Sequence, residues 1–213
     1  MIPYLREIRD MGYDYYFQVT ITDYEEDIER NLRCTAESMA TFILMSEKLG
    51  RERMDWRFDP ILLTDKYSIS YHLEHFEQMC GWLHNATTRC IISFVDSYKE
   101  CPYRELREEE VAELAKGLGK IARKYQLPLY TCAEKAHLDR FGISHCACID
   151  KEKIRRLVGY KLDLKKDAGQ RKECRCVESI DIGTYHTCIH GCRYCYASGT
   201  LENAKNKYEQ HDP

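Results

Sequence analysis

Cys90-Ile91-Ile92-Ser93-Phe94-Val95 is the most apolar strand signal in the chain, and its flanks decide the fold class. Upstream, Ile69, Leu73, Phe76, Cys80 and Leu83 fall on one helical face. Downstream, Pro102 and the acidic turn Glu108-Glu109-Glu110 open a helix whose apolar stripe is Val111, Leu114, Leu118, Ile121 and Tyr125. A continuous apolar strand between two amphipathic helices points to a parallel sheet, because parallel neighbours must be joined by a crossover.

The pattern repeats outward in both directions. Pro128-Leu129-Tyr130-Thr131-Cys132 reads as the fourth strand and Met54-Asp55-Trp56-Arg57-Phe58-Asp59-Pro60-Ile61-Leu62 as the second. Between the first and second strands, Met39, Phe42, Ile43 and Leu49 recur at helical spacing, with Thr35 as the cap and Gly50 as the stop. Tyr15 to Ile21 is the first strand, preceded by a short helix from Ile2 to Met11 that closes at Gly12. A chain opening on a helix is expected to lack the strand that precedes it in a regular array. From Ala133 to Cys176 the pattern weakens to one short helix, Lys151 to Val158, among cysteine-bearing loops. The fifth strand is expected at Ser179-Ile180-Asp181-Ile182-Gly183, and the tail from Leu201 to Pro213 as frayed helix or disorder. About five strand–helix alternations predict an α/β fold, a partial (β/α) barrel of parallel strands with a cysteine-rich C-terminal region. The whole of 1–213 is expected to be a single domain: βα units over 1–132, a metal-binding part over 133–200 and a tail over 201–213.

Composition narrows the function classes. No run approaches the roughly 20 apolar residues of a membrane span, and Met1-Ile2-Pro3-Tyr4-Leu5-Arg6 lacks the layout of a secretory signal, so no membrane partner and a cytoplasmic location are expected. A formal net charge of −3 exerts no general pull on nucleic acid. Locally, Lys151 to Lys172 holds nine basic residues against three acidic ones, which reads as a solvated face or as a nucleic-acid contact in a repair protein. Twelve cysteines in a reducing compartment read as metal ligands rather than disulfides.

The cysteines fall into three kinds. Cys188, Cys192 and Cys195, spaced CxxxCxxC around Gly191, can converge on one metal centre, leaving one iron of a four-iron cluster without a protein ligand. The bland alternative is structural zinc, with His186 or His190 as fourth ligand. Cys146-Ala147-Cys148 and Cys174-Arg175-Cys176, beside Cys132, can supply four thiolates to a second site for zinc or a closed iron–sulfur cluster. Cys34, Cys80, Cys90 and Cys101 sit singly and read as packing. At the carboxyl ends of strands, where such barrels work, Arg57, Asp59, Asp96, Cys132, Glu134 and Asp181 are expected to open toward one mouth. Of these Arg57, Asp59 and Glu134 are candidate catalytic residues; Arg57 has the fork to grip a carboxylate and Glu134 could accept from a ribose or an amine.

The CxxxCxxC loop, with Tyr194 just before its last cysteine, resembles the cluster loop of the radical S-adenosylmethionine enzymes. That resemblance implies a 4Fe-4S cluster on Cys188, Cys192 and Cys195, with S-adenosylmethionine on the fourth iron and Tyr194 and Asp181 beside it. It also implies an electron donor such as a flavodoxin or ferredoxin, and a reaction in which the cofactor is cleaved to a deoxyadenosyl radical. Trp56 to Ile61, Ile92 to Asp96, Thr131-Cys132-Ala133-Glu134, Glu173 to Ser179 and Asp181 to Ala197 resemble the bacterial family called domain of unknown function 1848. Family members look like radical SAM relatives whose cluster loop has moved to the C-terminus, and their pattern implies Cys132, Cys148, Cys174 and Cys176 as further ligands, with Cys146 spare. Typical members have residues before the position of Met1, so the chain resembles an N-terminally shortened member. A Gly-Gly-Glu run to position the methionine amine is absent from the sequence. A non-catalytic zinc or iron–sulfur module is the alternative reading.

Overall fold

A computed structural model describes residues 2–98, 101–197 and 200–210. After a 3-10 turn at Ile2–Tyr4 and the short helix α1 (Leu5–Asp10), the chain runs β1 (Phe17–Thr20), α2 (Thr35–Leu49), β2 (Met54–Ile61), α3 (Ile69–Leu83), β3 (Cys90–Phe94), α4 (Glu108–Lys124) and β4 (Leu129–Cys132). It continues with β5 (Ile143–Cys146), α5 (Lys151–Val158) and α6 (Leu201–Glu209). The five strands form one sheet in sequence order, every pair parallel. The fold is therefore α/β, as the alternation of elements predicts.

Two expectations need correction. The fifth strand is Ile143–Cys146, inside the stretch where the pattern fades, and Ser179 to Gly183 forms no strand. Ile180 and Ile182 have the alternation of a strand, yet they stand 89% and 96% exposed; nothing covers them, so their β propensity has no packing to act through. Thr35 is the first residue of α2 rather than its cap; its hydroxyl donates instead to Asp23 and to the Thr22 carbonyl.

Strand alternation sorts β2 cleanly between two environments. Met54, Trp56 and Phe58 enter the main core with Phe42 of α2, Phe76 and Met79 of α3, and Leu114 and Leu118 of α4. Trp56 stacks on Phe76 with ring centroids 5.3 Å apart and donates from Nε1 to the Ile21 carbonyl, so its one polar atom is satisfied. Asp55, Arg57 and Asp59 point to the opposite, polar face. In a flat sheet β1 and β5 would stand about 19 Å apart at the usual strand spacing. Yet Gln18 Nε2 of β1 donates to the carbonyl of Cys148, just past β5, at 2.7 Å, and Tyr16 Oη does so at 2.6 Å. The sheet and the segment leaving β5 therefore wrap one shared interior.

That segment is fastened by charge. Asp55, fully buried, is bound by Arg89 at 2.7 Å and by Lys153 of α5, while Arg89 also reaches Asp150 at 2.8 Å. Two cations face two carboxylates, so no charge is buried unpaired. The β4–β5 crossover lies against α4 at Gly119, where a Cβ would meet the Phe141 carbonyl oxygen at 2.2 Å; this close approach explains a glycine in a helix interior. No helix among the described residues is long and apolar enough to cross a membrane.

Candidate metal centres

The first cysteine group grows out of the carboxyl edge of the sheet. Cys132 ends β4; Cys148 lies two residues beyond β5; Cys176 sits in a loop folded back on itself by the Lys166–Val177 bridge. Ala133, just after Cys132, takes a left-handed φ of 55°, which turns the chain sharply away from the strand. Val177 then donates to the Ile149 carbonyl at 3.1 Å, tying the Cys176 loop to the Cys148 segment. The result is that the ligand atoms of Cys132, Cys148 and Cys176 all lie within 4.8 Å of one another, with Cys132 and Cys148 Sγ 2.8 Å apart. Cys174 is outside this trio but next to it: its Sγ accepts from the Cys176 amide at 3.5 Å. Cys146, the last residue of β5, is buried and belongs to neither set.

Arg57 serves this group. Its Nη1 donates to Cys148 Sγ at 2.6 Å and to Gln18 at 2.9 Å, and its Nε and Nη2 hold Asp59, to which Ser93 also donates. Hydrogen bonds from Cys132 and Cys176, then the Arg57 charge, hold the Cys148 thiol well below the usual thiol range, and Cys132, the partner in that bond, is correspondingly driven up. Three thiols so close cannot all ionise without a cation among them. Glu134 stands at the same edge and accepts from the Phe94 amide at 2.8 Å; burial lifts its carboxyl to about 7. Asp96 pairs with Arg171 at 2.6 Å.

The second group is the Cys188–Cys195 loop, turned at Gly191, whose φ is 69°. It is docked on the segment that follows β1. Asn31 holds it from both sides, donating from its amide to the His190 carbonyl and from Nδ2 to that of Ile189 at 2.8 Å. Arg193 returns a bond to the Ile28 carbonyl at 2.9 Å, and Glu29 and Cys192 form a β-bridge. Tyr194 enters a small core with Tyr24, Ile28, Leu62, Tyr67 and Val95, and its hydroxyl donates to the buried Glu29 carboxylate, which Thr22 also binds at 2.7 Å. Burial, and then the Glu29 charge, pushes the Cys192 thiol up to about 12. Cys192 feels the charges of both Cys188 and Cys195, but the three are not drawn within the distance that gathers the first trio. The histidines weighed as a fourth ligand, His186 and His190, are exposed. Asp181 is exposed, accepts from Gly183 at 2.8 Å, and does not end a strand as expected.

Sequence reasoning missed Glu29 and Asn31, the residues that seat the loop. Glu29 lies in the acidic run Glu25–Glu29, which reads as solvated surface, and no local signal marks its burial. The basic run is less solvated than its composition suggests, since Lys153 is buried on Asp55, and Lys151, Arg155 and Lys166 each bind a backbone carbonyl.

Fold and sites together define a parallel α/β protein whose carboxyl edge carries two separate cysteine groups. The chain belongs to the family described as Domain of unknown function (DUF1848), whose profile matches residues 1–197. No curated protein matches it. Among solved structures, a crystal structure of a protein described as a candidate alpha-L-fucosidase from Bacteroides thetaiotaomicron aligns with a TM-score of 0.41 and 14% identity, over 63% of this chain and 42% of that one. A likeness at that level carries no functional argument.

Proposed function

We propose that this chain is an iron–sulfur protein in which Cys188, Cys192 and Cys195 hold a 4Fe-4S cluster whose fourth iron takes S-adenosylmethionine. The observation that carries this reading is the setting of the loop. Three cysteines sit around the Gly191 turn, in a loop fastened by Asn31, Glu29 and Tyr194 to the segment that follows β1, so a short loop rich in thiols has a fixed base. Their looser spacing suits a multi-iron group, which holds its ligands apart, better than a single ion. Such a cluster, when reduced, supplies the electron that cleaves the cofactor. The chain's own residues orient the loop and shield it: Tyr24 lies against Tyr194, and Tyr98 donates to the Tyr194 carbonyl. Glu134, Asp59 and Ser93, at the same edge, would meet the substrate, and a flavodoxin or ferredoxin would supply the electron.

Anaerobic reconstitution tests this. The protein should take up iron and sulfide at the loop, lose them in Cys192→Ala, and release 5′-deoxyadenosine from S-adenosylmethionine when reduced, with Cys195→Ala as the blank. Stoichiometric zinc with no uptake of iron would leave a non-catalytic metal-binding module as the reading.

A further inference from the structure

We infer that Cys132, Cys148 and Cys176, completed by Cys174, hold one mononuclear ion of the zinc class, and that Arg57 is the positioning residue that balances its charge. The inference rests on the reading that this chain binds metal through its cysteines, and it deepens that reading by separating the two groups in chemistry. Geometry carries it. A tetrahedral ion with metal–sulfur bonds of about 2.3 Å places its sulfurs roughly 3.8 Å apart. The three Sγ atoms here all fall within 4.8 Å, those of Cys132 and Cys148 at 2.8 Å, so a single ion needs only small side-chain adjustments to sit among them. A cubane would need much more, because an iron corner then lies between each sulfur and the centre, and the thiolates must spread. The lining leaves little room for that spread: Ala133, Ala147 and Ile149 pack around the buried Cys174 and Cys176.

The hydrogen bonds point the same way. Thiolate sulfur needs donors, and three converge here: Arg57 on Cys148 at 2.6 Å, the Ile149 amide on Cys176 at 3.4 Å and the Cys176 amide on Cys174 at 3.5 Å. Four thiolates around a divalent ion leave a net charge of −2. Arg57 offsets part of it, and is itself held by Asp59 and Gln18, which fixes where its donors point. Losing a partner of this kind typically costs about tenfold to a hundredfold in metal affinity.

The test isolates the site in the full-length chain carrying Cys188→Ser, Cys192→Ser and Cys195→Ser. Purified anaerobically, it should bind one zinc per chain and no sulfide, and Co(II) in its place should give the intense thiolate charge-transfer bands of a tetrahedral site. Arg57→Gln should weaken Co(II) binding by about tenfold to a hundredfold and shift those bands, with Arg57→Lys recovering part of the loss. Should the triple variant fail to fold, X-ray absorption at the zinc edge of the unsubstituted protein replaces it, with four sulfur scatterers at about 2.3 Å expected. Several irons with sulfide in the triple variant would overturn the single-ion assignment and leave the iron–sulfur reading of the loop standing. A triple variant that holds no metal, while the unsubstituted protein still binds iron, would also overturn it. One zinc in the triple variant beside an unsubstituted protein that takes up no iron would uphold it and sink the reading of the loop alone.

Discussion

The Tyr194 hydroxyl donates to the buried carboxylate of Glu29, across 165 positions of sequence. This bond and the one from Thr22 are what the Glu29 side chain has in exchange for water. Tyr194→Phe removes one of them and should cost about 1–3 kcal/mol, the usual penalty for a buried polar group losing a partner. Urea unfolding reads the cost, and hydrogen exchange should quicken at the amides of Arg193 and Asn31, which hold the loop to its base. Unchanged exchange there would mean the tyrosine does not hold the loop.

The two cysteine groups should differ in what they do for stability. Cys176→Ala opens a buried centre that joins the end of β4, the segment after β5 and the 165–178 loop, whereas Cys188 is exposed. With metal bound, Cys176→Ala should lower the unfolding midpoint clearly more than Cys188→Ala, because metal binding there is also folding free energy. A chelator strong enough to strip the centre should bring the unsubstituted protein down to the same midpoint. Equal effects from the two substitutions would argue against a structural centre.

Gly119→Ala should destabilise, although alanine is the better helix former by about 1 kcal/mol. The new methyl would sit 2.2 Å from the Phe141 carbonyl oxygen, which is backbone and cannot swing aside. Overpacking of this kind costs about 1–3 kcal/mol, so the clash should win over the propensity gain. Thermal unfolding decides the sign.

His72 gives a pH dependence of known direction. Burial holds its imidazole down at about 4, and its Nε2 lies 2.7 Å from the Leu62 carbonyl. The unfolded chain takes up this proton near pH 6.5 and the folded one only near 4, so the contribution is complete above about 6.5 and is lost as pH falls toward 4. His72→Gln, which keeps a donor for Leu62, should flatten the stability curve over that window by at most about 3 kcal/mol. An unchanged slope between pH 6.5 and 4 would show that other groups set it.

The first four strands and the helices between them were legible because their cores repeat at the periods of strand and helix; Trp56, Phe76 and Leu114 are buried where those periods place them. β5 was not. Ile143-Ser144-His145-Cys146 offers only two apolar side chains, and it is held by pairing with β4, a long-range fact. Spacing marked two CxC pairs beside Cys132 without choosing between Cys146 and Cys148; the resemblance implied Cys132, Cys148, Cys174 and Cys176, and the fold gathers Cys132, Cys148 and Cys176, with Cys174 one step away where the loop turns. Arg57 was expected at a strand end but lies inside β2 (Met54–Ile61), on the strand's polar face; its Cys148 partner was not legible, because 91 positions separate them.

The order in which the first cysteine centre is assembled has a consequence during synthesis. Its cysteines lie at positions 132, 148 and 176, so all five strands are synthesised before the last thiol of the trio. A chain made only as far as Cys148 would hold all five strands and two of the three thiols, with Arg57 as the donor to Cys148, and would lack the third. On the single-ion inference, the ion could then gain its full set of thiolates only after Cys176 had been made, late in the chain.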